Sequence, residues 1–285
     1  LGGSKWAGFY AGPPSGPSVP RHLATHEQVL CHPDGRITIA LDSTNFEARR
    51  IILLATGVGI PLGRFLSGGV AASLSLMPGH EAIPAGGALT PVQAEMLERL
   101  GLADTYLTIT QPTGFARVLQ SAPDVIGDAA YATIIARLRR PMVPHPPATI
   151  AILPNQARAR FSLRNQRSLT IWLRARQILV LNPDAAVLDE TIAGLSRASR
   201  VIIADLAQAG VLGFCRPGTQ ILEIAPEGWA EQQIRMACRA LDLEWQLCLA
   251  PAPSYAPLNA PPLGCTQALG YDIPIAALAR ALAVL

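Results

Sequence analysis

The sequence is short of several residue types, and each shortage excludes a class of protein. Only 15% of the 285 residues are charged, the formal net charge is +3, and Lys5 is the only lysine. No basic run is long enough to form a nucleic-acid-binding stripe, so a nucleic-acid partner is not expected. The five cysteines are odd in number and widely spaced, with no CxxC pair. That spacing argues against a disulfide scaffold or a zinc site and fits a reducing cytosol.

A convincing membrane span is missing as well. Ile51–Met77 is apolar enough to raise the question, but Arg64 stands near its centre, where a charge costs about 2.5–3.5 kcal/mol in a bilayer. Five glycines and Pro61 weaken a spanning helix further. We therefore predict that this stretch forms buried core. A DxD-type carboxylate pair is also absent, so neither a metal nor another cofactor is predicted.

Strand-like and helix-like stretches alternate through Ile178–Cys248. The strand-like runs are ILVL, RVIIAD, QILEIA and EWQLCL, and the main helix-like runs are VLDETIAGLSRA and WAEQQIRMACRAL. This rhythm predicts an α/β fold with a parallel sheet and crossover helices. Parallel sheets bind ligands beyond the carboxyl ends of their strands, so a site is expected at Asp205–Gly210 and Pro226–Trp229.

A proline-rich run, PMVPHPP at Pro141–Pro147, supports neither a helix nor a strand ladder. We place a domain boundary there, which gives a first domain over residues 21–145 and a second over 146–285. In the first domain, TPVQAEMLERLG predicts a helix capped by Thr90, with Pro91 in its first turn and Gly101 at its end. In the second, a helix is expected over Arg158–Arg176, and PIAALARALAVL predicts a terminal helix.

The glycine-rich stretch Ala55–Leu66, ATGVGIPLGRFL, follows a strand-like run. Glycines at a helix start let a phosphate approach backbone amides. The stretch is similar to the ATGxGI turn of ferredoxin-reductase-type nicotinamide domains. However, Pro61 interrupts the pattern, and no acidic residue lies about 20 positions further on to hold a ribose. A structural turn is the preferred interpretation.

Arginines cluster after the strand-like ATIAIL. The guanidinium group offers a planar fork of donors that matches phosphate oxygens, so the cluster is a candidate diphosphate site. The alternative is a solvated helix face, and the sequence leaves both open. The arginines are Arg158, Arg160, Arg164 and Arg167.

A carboxylate interrupts the apolar strand ILEIA at Glu223, shortly after the turn Pro217-Gly218. A buried carboxylate is costly unless it is paired or hydrogen-bonded. A ribose diol would supply two donors, which makes Glu223 a candidate nucleotide-binding residue. The alternatives are a Glu on the solvent side of an edge strand and a Glu paired with an arginine.

The order of these features resembles family-61 glycosyltransferases, the bacterial capsular polysaccharide biosynthesis proteins. ARARFSLRNQRSLTIWLRARQ is similar to the arginine-rich helix start of that family, and FCRPGTQILEIAP to its closing turn and strand. The likeness covers residues 150–250. The chain departs from the family at Asp205–Ala209, where the family has His-Gly-Ala-Gly-Leu. It also has Pro154-Asn155 in place of Ser-Arg and Gln166 in place of a Glu.

The resemblance implies two Rossmann-like domains in a GT-B-type architecture, with a nucleotide-sugar donor held by the second domain. It implies an inverting transfer to a glycan or polysaccharide acceptor in the cytoplasm, and it leaves peripheral membrane association open. Glu223 would hold the ribose, and Asp205, at a strand end, is the candidate catalytic carboxylate, with helix capping as its alternative role. The remaining donor-binding candidates are Arg158, Arg160, Arg164, Gln208, Gly210, Gly218 and Thr219.

Two other functions remain open at this point. The altered motifs fit a catalytically silent relative that acts as a binding or assembly subunit of polysaccharide machinery. The turn at Ala55–Leu66 fits, less well, a nicotinamide-dependent oxidoreductase.

Overall fold

A computed structural model describes most of the chain between Leu23 and Val284. The described residues are 23–31, 37–39, 47–57, 60–71, 83–111, 113–121, 126–139, 146–154, 162–227, 232–252, 254–257 and 267–284. Within these ranges, parallel strands alternate with helices, which confirms the predicted α/β class.

The first half forms a six-stranded mixed sheet. Its strands are β1 Leu23–Cys31, β2 Ile37–Ile39, β3 Glu47–Leu53, β4 Ile83–Gly86, β5 Leu107–Thr108 and β6 Thr113–Ser121. They lie in the order β2-β1-β6-β3-β4-β5. The pairs β6-β3, β3-β4 and β4-β5 are parallel, whereas β1 runs antiparallel to both β6 and β2.

The helices of the first half have clear local signals. They are α1 Leu62–Arg64, which continues into a π-helical turn at Phe65–Val70, then α2 Pro91–Arg99 and α3 Ala129–Leu138. The predicted helix at Thr90 is confirmed, because the Thr90 hydroxyl accepts from the Gln93 amide and the Gln93 side chain bonds back to the Thr90 amide. This reciprocal capping box satisfies amides that a helix start leaves without partners. Most of the apolar stretch after Ile51 is buried where it is described, as expected.

The second half contains a five-stranded and a three-stranded sheet. Its strands are β7 Ala148–Ile152, β8 Ser162–Leu163, β9 Leu179–Leu181, β10 Ala198–Ile203, β11 Gln220–Pro226, β12 Glu244–Ala250, β13 Ser254–Pro257 and β14 Gln267–Tyr271. The larger sheet has the order β12-β11-β10-β7-β9 and is parallel throughout. The smaller sheet has the order β13-β14-β8.

The helices that cover the second half are α4 Gln166–Arg174, α5 Leu188–Arg197, α6 Gln232–Ala240 and α7 Ile275–Val284. A 3-10 helix at Leu206–Phe214 follows β10. The predicted terminal helix is confirmed by α7. The expected helix over Arg158–Arg176 is wrong at Ser162–Leu163, because these residues pair with β14 as a strand, and residues 155–161 lie outside the described ranges.

The change from one sheet to the other occurs between Ser121 and Ala148. The predicted boundary at Pro141–Pro147 lies in that interval, although residues 140–145 are outside the described part of the chain. The two halves nevertheless share one core. A single cluster of buried side chains contains Ile52, Phe65 and Tyr131 from the first half with Ile203 and Phe214 from the second.

One contact between the halves involves their backbones directly, and we call it the junction. It joins the helical turns Leu62–Val70 to the 3-10 helix Leu206–Phe214. The backbone segments meet at Gly63 and Gly210, where a Cβ added to Gly210 would lie 2.0 Å from the Gly63 carbonyl oxygen. Only glycine permits such an approach, so the two halves are in direct backbone contact there.

Candidate functional site

The order of the five parallel strands fixes where a ligand crevice can lie. Numbered as they occur in the chain from β7, they stand in the order 2-1-3-4-5. After β7 the next strand of this sheet is β9, at one edge. After β10 the next strand is β11, in the direction of the opposite edge. A crevice opens at such a switch point, beyond the carboxyl ends of the two strands. Here those ends lead to Pro154 and to Asp205.

Asp205 directly precedes the 3-10 helix that follows β10 at this switch point. It is half-buried, and its Oδ1 accepts a hydrogen bond from the Ala207 amide at 3.1 Å. The capping role considered for this residue is therefore observed. Burial raises the pKa of the Tyr271 hydroxyl to about 12, and the negative charge of Asp205 adds to that shift. The Asp205 charge therefore acts on the Tyr271 hydroxyl of the neighbouring three-stranded sheet.

Arg164 reaches the same region through the three-stranded sheet. Leu163 pairs with Tyr271, and the Arg164 amide donates to the Tyr271 carbonyl at 3.0 Å. The guanidinium group of Arg164 binds the Asp272 carboxylate, with Nη2 at 2.9 Å and Nε at 3.1 Å from Oδ2. Both side chains of this pair are partly exposed. The Arg164 backbone is therefore held beside Tyr271, and its guanidinium group beside Asp272.

The other predicted arginines are less well placed. Arg158 and Arg160 follow β7, but they lie outside the described residues. Arg167 is exposed in the first turn of α4. The alternative of a solvated helix face therefore applies to Arg167.

Glu223 is fully buried, so the alternative of a solvent-facing carboxylate is wrong. It is in register with Ile203, the last residue of β10, and its Oε2 accepts a hydrogen bond from Trp245 Nε1 at 2.8 Å. Burial, with the Glu223 charge as a second cause, raises the pKa of the Cys238 thiol on α6 to about 12. Glu223 is the middle residue of β11, and its carboxylate contacts Trp245 at the amino end of β12.

Gln208 and Gly210 are committed to the junction. The Gln208 side chain is 1% exposed, and its Oε1 accepts from the Gly63 amide at 3.0 Å. The Gly210 carbonyl accepts from the Tyr131 hydroxyl at 2.6 Å. Both residues therefore connect the second half of the chain to the first.

Gly218 and Thr219 lie at the opposite edge of the sheet from Asp205. They precede β11, whereas Asp205 follows β10, and the two strands are parallel. Gly218 has a φ of +78°, and its amide donates to the Asp242 carbonyl at 2.7 Å. The Thr219 hydroxyl donates to the Ala198 carbonyl at 3.2 Å. The structure thus does not bring this turn together with the other candidates.

The glycine-rich turn has several of its described amides bonded within the protein itself. Gln93 accepts from the Gly57 amide at 3.0 Å, and its Nε2 donates to the carbonyls of Gly57 and Ile60. The Leu62 amide donates to Asp184 Oδ1 at 2.7 Å, and the Gly63 amide donates to Gln208. Val58 and Gly59 lie outside the described residues. These contacts support the structural interpretation of the turn.

Sequence reasoning missed Tyr271 and Asp272. Both lie beyond the proline-rich stretch Ala250–Gly264, and no periodic pattern connects them with Asp205. Only the strand pairing of β14 with β8 reveals their position.

In the part of the chain that the structure describes, no three His, Cys, Asp or Glu side chains converge as a metal site. No helix in those residues is long and apolar enough to cross a bilayer. No protein-family model matches the chain, and no curated protein shows significant similarity to it.

Proposed function

We propose that the protein is a nucleotide-sugar-dependent glycosyltransferase with its donor site at the switch point between β7 and β10. One observation carries the proposal: the parallel sheet of order 2-1-3-4-5 has a carboxylate, Asp205, at the start of its crevice. The negative charge of Asp205 acts on the Tyr271 hydroxyl, and the Arg164 amide binds the Tyr271 carbonyl. Arg158 and Arg160 follow β7 in the sequence and lie outside the described residues.

In this proposal the arginines neutralise the phosphates of the donor. Their forked donors match phosphate oxygens, and the carboxyl edge of a parallel sheet is where a nucleotide is bound. Arg164 can exchange its exposed partner, Asp272, for a phosphate, because an exposed ion pair contributes only about 0–1 kcal/mol. Gln208, Gly210, Gly218 and Thr219 then act as scaffold.

Asp205 is the base in the transfer. It takes the proton of the acceptor hydroxyl, and that oxygen forms a bond with the anomeric carbon of the donor sugar. The bond between this carbon and the phosphate oxygen breaks, and its electron pair leaves with the nucleotide. The configuration at the anomeric carbon is inverted. The first half of the chain provides the acceptor side of a GT-B-type enzyme, and the acceptor is a glycan or polysaccharide at the cytoplasmic face of a membrane.

Calorimetry with UDP, GDP, CMP and NAD tests the donor site. We expect one of the first three nucleotides to bind, and binding to weaken roughly tenfold in an Arg158→Gln/Arg160→Gln variant, because charge-assisted hydrogen bonds are lost. Arg167→Gln is the matched control and is expected to bind as the wild type does. If none of the first three nucleotides binds, the proposal is wrong, and selective binding of NAD would support the oxidoreductase instead.

Asp205→Asn separates binding from chemistry. Asn caps helices as well as Asp does, so the fold is retained. We expect unchanged nucleotide affinity and a loss of sugar transfer or donor hydrolysis of roughly 10²–10⁴-fold, the range of general-base catalysis. A wild-type protein that binds a nucleotide but turns over no donor sugar would instead support the silent binding subunit. That second function is favoured by the capping bond of Asp205 to Ala207.

A further inference from the structure

A cavity of about 530 Å³ opens beside β9, the edge strand of the five-stranded sheet. Its walls are the apolar side chains of β9 and the small residues Ala185, Ala186 and Ala193. Two charged side chains of α5, Glu190 and Arg197, also line it. Its volume lies within the range of small-molecule sites. We propose that this cavity binds a small amphiphile with an apolar chain and one carboxylate, and that Arg197 binds the carboxylate.

The first argument comes from Arg197. Its Nε is buried and has no hydrogen-bond partner among the described residues. A buried donor that has lost its water without gaining a partner is unfavourable, and more so in a charged group. The protein therefore does not pair this atom, while the half-buried side chain as a whole lines the cavity. Guanidinium groups bind carboxylates through two parallel hydrogen bonds, so a carboxylate in the cavity would give Arg197 a charged partner.

The second argument comes from the spacing of the lining residues along α5. Glu190, Ala193 and Arg197 follow each other at intervals of three and four, which places them on one face of the helix. Arg197 comes seven positions after Glu190, which is about 10 Å along the helix axis at about 1.5 Å per residue. Between them the cavity has only alanine from α5, so an apolar chain of that length fits without displacing a large side chain.

The two charges also fix the orientation of the ligand. Glu190 and Arg197 lie near opposite ends of α5, so Glu190 repels a carboxylate at its own end of the cavity and Arg197 attracts it at the other end. The apolar chain then packs on Leu179 and Leu181 of β9.

This cavity is separate from the proposed donor site. Arg197 directly precedes β10, whereas Asp205 follows it. The six residues of β10 span about 20 Å at about 3.3 Å per residue, so the Arg197 end of the cavity, which binds the carboxylate, lies at the opposite end of that strand from Asp205. The lining residues Leu181 and Asn182 lie at the carboxyl edge, on the far side of β7 from β10. The inference therefore does not depend on the proposed glycosyltransferase activity.

Octanoate is the probe, with octan-1-ol as its uncharged counterpart, and calorimetry or ligand-observed NMR on the full chain is the measurement. Arg197→Gln removes the charge, and Ala193→Trp fills the cavity from an exposed helix position. Arg174→Gln is the matched control, because Arg174 is an exposed arginine at the end of another helix. Circular dichroism verifies that each variant is folded.

We expect octanoate to bind the wild type and the Arg174→Gln variant equally. Binding should weaken roughly tenfold in Arg197→Gln and be lost in Ala193→Trp, and octan-1-ol should bind roughly tenfold more weakly than octanoate. Octanoate should not displace a nucleotide from the other site. The proposal is overturned if the wild type does not bind octanoate, or if Arg197→Gln binds it as tightly as the wild type does.

Discussion

Gly210→Ala tests whether the junction holds the two halves together as described. The added Cβ would lie 2.0 Å from the Gly63 carbonyl oxygen and 2.8 Å from the Gly63 carbonyl carbon. Ordinary van der Waals contact begins near 3.4 Å, so the two backbone segments must separate by more than an ångström. Neither segment is free to move, because the Gly63 carbonyl accepts from Ser67 and the Gly63 amide donates to Gln208.

The cost follows from the nature of the obstacle. Overpacking a core typically costs 1–3 kcal/mol when side chains can adjust. Here the obstacle is backbone, so we expect a loss of about 3 kcal/mol in the free energy of unfolding, the upper end of that range. At about 2–4 °C per kcal/mol for a chain of this size, the melting temperature should fall by about 6–12 °C.

Urea denaturation and thermal unfolding measure the effect, with Gly194→Ala as the control. A Cβ at Gly194 would lie 3.4 Å from Ile150 Cδ1, which is ordinary contact with a flexible side-chain end. Alanine also favours the helix that contains it by up to about 1 kcal/mol. The control should therefore be as stable as the wild type or more stable. A Gly210→Ala protein within about 0.5 kcal/mol of the wild type, inside the usual range for harmless substitutions, would refute the described junction.

Three further predictions concern stability. Tyr131→Phe removes the donor to the Gly210 carbonyl and should cost about 1–2 kcal/mol in urea denaturation, and an unchanged midpoint would contradict the bond. Gln93→Leu removes the partner of two backbone amides and two backbone carbonyls, so the free energy of unfolding should fall by about 3 kcal/mol or more in urea denaturation. A fall below about 1 kcal/mol would show that water replaces the side chain. Burial raises the pKa of the Cys215 thiol from 9.0 to about 12, so the folded state favours the neutral thiol and its stabilising contribution is complete below the unfolded pKa. The free energy of unfolding should then decrease as the pH rises from about 9 towards 12, and Cys215→Ser should reduce that decrease.

The elements with local signals are the ones that the sequence predicts well. Helix α2 has its cap, its proline and its terminal glycine within a dozen residues, so its bounds follow from local chemistry. The alternation of strands and helices after Ile178 predicts the parallel sheet for the same reason. The buried position of Glu223 also agrees with its place in an apolar strand.

The remaining features depend on contacts between distant parts of the chain. Strand β8 was expected to be helical, and it is a strand because it pairs with β14, about a hundred residues further along. Gln208 and Gly210 were assigned to a donor site because they follow a strand end, yet their positions are set by Gly63 in the other half. Local patterns cannot distinguish a residue that faces a ligand from one that faces another segment of the same chain.

The junction also has a consequence for biosynthesis. Gly63 and Gln208 are 145 residues apart, so most of the polypeptide must have emerged from the ribosome before this contact can form. Until then, the buried side chains of Phe65 and Leu66 have no second half to cover them. A nascent chain in this condition is prone to aggregate, and truncated products that end before Phe214 are expected to need a chaperone to stay in solution.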